Sequence, residues 1–331
     1  MNLDYNNNIS ILINEIGWET EEIYKFQGTP GEDEYFQSFK FCQEALILNK
    51  KYGIYPNIFF FRNNSKIDAK AIKKDKYYII WLNKGIIDLF NRYFVTYFYL
   101  DEIDELNKYS SLESQLIDSI GKLMYQSTLH FTFYHELGHL IQFVEKPDLS
   151  IAESLNTKAA YSIIKHSEEI DADLFSSICL STHFYQYFED YYQGKIDEDS
   201  ITNYLSILTS TMFIYFLSFD DCRSGFYLKE HSHPHPLIRI LSSINTIIGY
   251  FKEIMEKKGI ISVRIERNKV FAETFRIAEI FIKKFFGESN FLGFNTLLRE
   301  NLVEIKNYHS ELVSEFSSNP NSATNRRNEN I

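Results

Sequence analysis

The sequence predicts an α+β fold that is mostly helical, with one small three-stranded sheet. Three observations carry this prediction. Most of the chain spaces its apolar residues as helices do. Between Pro56 and Leu82 the texture changes to short aromatic and β-branched runs divided by polar turns. A pentapeptide, His135-Glu136-Leu137-Gly138-His139, lies inside a long apolar-patterned segment that reads as a helix.

The elements follow in chain order. Residues from about Ile9 to Tyr52 read as helical, with a turn near Thr29-Pro30-Gly31. Ile58-Phe59-Phe60-Phe61-Arg62 reads as a buried strand and Asn63-Asn64-Ser65 as a turn. A second strand covers Ile67 to Ile72, polar residues 73–76 connect it, and Tyr77 to Leu82 form the third. Helix resumes at Gly85, where Ile86, Ile87, Leu89 and Phe90 share a face. Ser110 and Glu113 have capping-box spacing. From Leu112 the pattern runs to about Val144, with a bend expected near Gly121 and a stop at Pro147. Another helix spans about Glu168 to Tyr192, and most of the remainder to Phe316 is helical. Residues 317–331 are rich in Asn and Ser and read as a disordered tail. The implied organisation is an N-terminal helical region (1–55), a core (56–250), a C-terminal helical region (251–316) and the tail.

Composition bounds the function. The 331 residues allow one large domain or two small ones, and a hydrophobic share of 44% with 24% charged residues is ordinary for a globular protein. A net charge of −11 argues against nucleic acid as a partner, because that binding rests on cations meeting phosphates. Cys42, Cys179 and Cys222 are too scattered for a disulfide framework or a zinc knuckle, so a reducing, cytoplasmic setting is expected. The polar, acidic start has no secretory signal pattern. Ile201 to Phe219 carries no charge, but Thr202, Asn203, Ser206, Thr209, Ser210 and Thr211 interrupt it. That polarity favours a buried core helix over a membrane span.

The pentapeptide carries the chemistry. Residues four apart share a helix face, so His135 and His139 can reach one metal ion with Glu136 beside them. Glu136 can then take a proton from a water. The bland alternative is a solvated surface helix. The flanks, Leu129 to Tyr134 and Leu140 to Val144, are strongly apolar and oppose it. A catalytic zinc has three protein ligands, so one is missing. The next histidine after His139 is His166, so a carboxylate is the candidate. Glu169 and Asp173 are four apart in Glu168-Glu169-Ile170-Asp171-Ala172-Asp173. Glu169 can bind the metal while Asp173 reaches a ligand histidine's second nitrogen. Glu168 is the fallback, and an acidic, solvated helix start is the competing reading. Ala172 is small enough for this helix to pack closely on the His135 helix.

A second histidine run, His231-Ser232-His233-Pro234-His235-Pro236, leaves three readings open. It is a second metal site, a loop that points one histidine at a substrate oxyanion, or a polar loop capping the helix from Leu237.

Together these residues resemble the gluzincin metallopeptidases, in particular the catalytic core of the heat-shock zinc proteases and CAAX prenyl proteases. In that family H-E-x-x-H is followed by E-x-x-A-D, matched by Glu169 to Asp173. The later H-P-x-x-x-x-R-I element matches His233-Pro234 through Arg239-Ile240. The family's edge strand resembles Asp68-Ala69-Lys70-Ala71, with Asp68 in place of the usual Asn. The resemblance covers roughly Pro56 to Ile240. The multi-span membrane region of those proteases is missing, so the soluble Lit-like phage-exclusion peptidases are the nearer likeness. The ImmA/IrrE regulatory proteases share the helix pair but lack the later His-Pro and Arg element. The likeness implies a bacterial cytoplasmic zinc endopeptidase with one Zn²⁺ per chain, acting on a host protein, with a translation factor as the substrate class. It implies ligands His135, His139 and Glu169, with Glu136 as base and Asp173 supporting a ligand. It places His233 at the carbonyl, with His235 as rival, and gives Arg239 the ordering of that loop. It makes 68–71 a strand that pairs with an extended protein or peptide substrate. The competing classes are a non-enzymatic protein stapled by zinc, and a latent protease that waits for an activating partner.

Overall fold

The computed structural model describes residues 3–96, 103–144, 161–218, 225–260 and 263–329. Pro147, Phe219 and Cys222 lie outside the described residues.

The chain is mostly helical around a small mixed sheet, as the sequence predicts. Near the N-terminus α1 (Tyr5–Ile11) leads through a π-helical turn, Leu12–Ile16, and a 3-10 turn, Thr20–Glu22, to α2 (Glu32–Leu48). The sheet follows as β1 (Asn57–Arg62), β2 (Ala69–Lys74) and β3 (Tyr77–Asn83). Its order is β1-β3-β2, with β1 parallel and β2 antiparallel to β3. The central strand is buried along its whole length, which accounts for its unbroken apolar run. β2 takes in Lys73 and Lys74, so the polar connector shrinks to Asp75-Lys76, with Asp75 in the left-handed region that aspartate tolerates.

The two sheet edges differ. The outer groups of β1 are taken up by other parts of the chain. Tyr24 N donates to Phe61 O, Phe61 N donates to the Tyr5 hydroxyl, and Asn8 and Gln43 side chains bind Phe59 O and N. β2 pairs only with β3 among the described residues, so its outer edge is open.

α3 (Lys84–Phe90) continues as a π-helical turn, Asn91–Thr96. The expected helix from Leu112 to Val144 is two helices, α4 (Ser110–Glu113) and α5 (Ile120–Gln142). No capping box forms at Ser110. Glu113 instead accepts a hydrogen bond from Ile120 N, and Ser119 caps α5 by accepting from Lys122 N. The break therefore precedes Gly121, because two side chains satisfy the first amides of a new helix there. In α5, 19 of 23 residues are buried, so it is a core helix covered on all sides.

α6 (Ile163–Tyr191) packs along α5. It begins five residues before the expected start. Glu168 to Asp173 thus lie beyond its first turn, and Asp171 and Asp173 are buried, which removes the solvated-start reading. α7 (Glu198–Leu217) is long and apolar enough to cross a membrane by length and composition, but 83% of its apolar window is buried within the fold. Several of its hydroxyls are satisfied within the helix. Thr209, Ser210 and Thr211 donate to carbonyls three or four residues back.

α8 (Pro236–Lys257), α9 (Arg267–Phe286), α10 (Glu288–Glu300) and α11 (Leu302–Ser317) complete the helical part. The tail departs from expectation. Residues 323–329 form α12 (Ala323–Glu329), and Ser322 and Ala323 are buried. Its polar residues read as disorder in sequence, yet they bind a buried carboxylate, as described below.

Candidate metal centre

Two helices, α5 and α6, build the site, and the contact between them sets its width. A Cβ on Gly138 would stand 3.1 Å from Ala172 Cα and 3.2 Å from its Cβ. Two small residues therefore let the backbones approach there. Ser176 Oγ donates to Phe131 O at 2.7 Å and ties the same helices two turns away.

This approach brings Glu169 over the histidine pair. His135 Nε2 and His139 Nε2 are 3.1 Å apart. Glu169 Oε2 is 3.5 Å from His135 Nε2, and Oε1 is 3.3 Å from His139 Nε2. Ligand atoms of a tetrahedral ion with bonds near 2.0–2.1 Å stand about 3.3 Å from one another. The three residues thus form a group that can hold a metal ion, and it is the one such group found among the described residues.

The field agrees with the distances. Burial alone would lower the His135 imidazole, but Asp173 and Glu169 outweigh it and push it up to about 10. Burial opposes ionisation of Glu169, yet His233, His139 and His135 hold its carboxyl well below the usual range. With both histidines neutral, as metal ligands must be, and Glu136 ionised, three carboxylates and the Arg239 guanidinium leave two negative charges, the complement of a divalent cation.

Both histidines have a partner on the nitrogen that faces away from the group. Asp173 Oδ1 lies 2.9 Å from His135 Nδ1, a close polar contact off the axis of an ideal hydrogen bond. Gln142 Oε1 lies 2.9 Å from His139 Nδ1. Asp173 takes a two-pronged bond from Arg239, with Nε at 2.7 Å and Nη2 at 2.8 Å. Arg239 Nη2 also stands 3.3 Å from Glu169 Oε2. The guanidinium thus fixes both carboxylates and rests over the Phe216 ring.

Glu136 is 7% exposed and has no hydrogen bond or ion pair within the described protein. Burial pushes its carboxyl up, while His135 and His139 pull it back. Burial also raises Asp68, which precedes β2 and feels the charge of His233. Ala69, Lys70 and Ala71 open β2, whose outer edge is unpaired among the described residues, and β2 packs against α5.

The histidine run divides its tasks. His233 is at the rim, 55% exposed, with Nε2 3.6 Å from Glu169 Oε1 and Nδ1 2.9 Å from the Ser232 hydroxyl. His235 is buried, and its Nδ1 accepts from Leu237 N as the cap of α8, with Pro236 in the first helical position. Arg239 does not order this loop, as the sequence reading had it. That task falls to His166, whose Nε2 donates to His231 O at 2.8 Å while Nδ1 accepts from Tyr308 at 2.9 Å. Arg239 is drawn instead to the two carboxylates. Glu168 contributes its backbone carbonyl to Gln142 and is not in the metal-capable group.

Sequence reading missed Gln142 and Asp171. Gln142 Nε2 donates to Glu168 O and to Asp171 Oδ2, each at 2.9 Å. Gln142 was detectable, since residues three apart on a helix share a face and His139 needs a partner. Comparison with protein-family models, with curated proteins and with solved structures finds no match.

Proposed function

We propose that the protein is a zinc-dependent endopeptidase. The observation that carries this reading is the convergence of His135, His139 and Glu169 beside Glu136, a buried carboxylate with no hydrogen bond or ion pair among the described residues. Zn²⁺ bound there supplies Lewis acidity to a water and to the scissile carbonyl. Glu136 accepts the proton of the attacking water and returns it to the leaving amine, a role suited to a carboxyl raised by burial. His233 donates to the developing oxyanion from the rim. Asp173 and Arg239 hold His135 and Glu169 in place. An extended segment of a protein substrate pairs with the open edge of β2. Lit-like action on a bacterial host protein is the proposed setting.

A non-catalytic zinc staple fits less well, because such sites close all four positions with protein ligands. Only three converge here among the described residues. The test is Glu136→Gln, which leaves the three ligands intact. We expect the zinc content of the wild type by elemental analysis, with hydrolysis of an unfolded reporter protein lower by about 10²–10⁴-fold. Normal cleavage by this variant, or no zinc in the wild type after reconstitution, ends the proposal.

A further inference from the structure

Asp171 belongs to neither the ligand group nor the contacts of Arg239, yet its carboxylate is buried and fully engaged. Oδ2 accepts from Gln142 Nε2 at 2.9 Å and from Ala323 N at 2.6 Å. Oδ1 accepts from Ser322 Oγ at 2.9 Å and from Thr324 N at 3.1 Å. It has no ion-pair partner among the described residues. Two of its four donors are first-turn amides of α12, so Asp171 caps that helix from a distant part of the chain. Ser322 Oγ also accepts from Asn325 N at 3.1 Å. At the other end of α12, Arg327 donates to the Tyr250 hydroxyl and lies over its ring.

The other side of Asp171 leads to the metal-capable group. Gln142 Nε2 faces two acceptors, Asp171 and Glu168 O, so its oxygen must face His139. His139 Nδ1 must then carry the hydrogen, which leaves the lone pair on Nε2, the atom in the group. We infer that Asp171 is a positioning residue and that residues 322–324 complete the site. The tail fixes Asp171, Asp171 fixes the Gln142 amide, and Gln142 sets the tautomer and plane of His139. This rests on the metallopeptidase reading, and the test separates the failure of one from the failure of the other.

The test compares wild type, a chain ending at Asn321, Gln142→Ala, and the two changes combined. Zn²⁺ affinity is read by competition with a chromogenic chelator. Each single change should weaken binding by about 10-fold or more, the usual effect of losing such a ligand partner. The combination should be no worse than the weaker single variant, because both break one chain of contacts. In zinc-free protein, nitrogen chemical shifts of His139 should report the Nδ1–H tautomer in wild type and move toward Nε2–H when the tail is removed. A merely structural tail would not move that signal. If the shortened chain does not fold, Ser322→Ala and Asp171→Asn in the full chain carry the same comparison. A folded variant with wild-type affinity and unchanged His139 shifts, or losses that multiply in the combined variant, overturns this inference alone. A wild type that takes up no zinc overturns the metallopeptidase reading and this inference with it.

Discussion

Two positions separate His233 from His235, and their surroundings are opposite. His233 stands in solvent at the rim of the site, whereas His235 is packed against Phe226 and Tyr227. Burial pushes the His235 imidazole down from 6.5 to about 4. Between those values the unfolded chain binds the proton and the folded chain does not. The contribution of His235 to stability is therefore whole above about pH 6.5 and is lost as the pH falls toward 4. We expect the melting temperature to drop across that window. His235→Asn, which can still cap α8, should flatten part of the drop. An identical slope in the variant would assign the acid sensitivity elsewhere. The alternation of histidines and prolines announced a special segment, but not which ring turns outward. That choice depends on aromatic neighbours and on His166, brought in from another helix.

At the scale of elements, the α5–α6 contact decides the site. Gly138→Ala gains about 1 kcal/mol of helix propensity, which offsets much of the crowding against Ala172. Gly138→Val adds two further methyl groups with a smaller gain in propensity, and overpacking of this kind costs about 1–3 kcal/mol. We expect the valine variant to unfold at lower denaturant and to bind Zn²⁺ more weakly, while the alanine variant stays near wild type in stability. Equal behaviour of the two would mean that the helices do not need this close approach. The strands and the α5–α6 pair were legible because short-range patterns specify them: alternation, apolar runs and four-residue spacing. The break before α5 was not, since it depends on Glu113 reaching forward to Ile120 N, a bond that leaves the apolar pattern unaltered.

Across the whole molecule, the long uncharged segment and the tail were the two places where composition alone leaves the outcome open. α7 lies inside the fold, with Thr209 meeting the Thr274 hydroxyl of α9 at 2.8 Å. The expected outcome is recovery of the expressed chain in the detergent-free fraction after ultracentrifugation. Retention in membranes would mean that α7 is not held in the core. The tail was illegible for a different reason. An Asn- and Ser-rich stretch orders only if a buried acceptor waits for it, and that acceptor is 151 residues earlier in the chain.

That separation bears on when the site becomes whole. His135, His139 and Glu169 are synthesised well before Ser322, which follows Asp171 by 151 residues. Chains begin to fold from the N-terminus as they are made. A nascent polypeptide can therefore bring the three ligands together while His139 still lacks the tail's support. On the inference above, such a chain binds zinc poorly until residues 322–324 have been made and packed against Asp171.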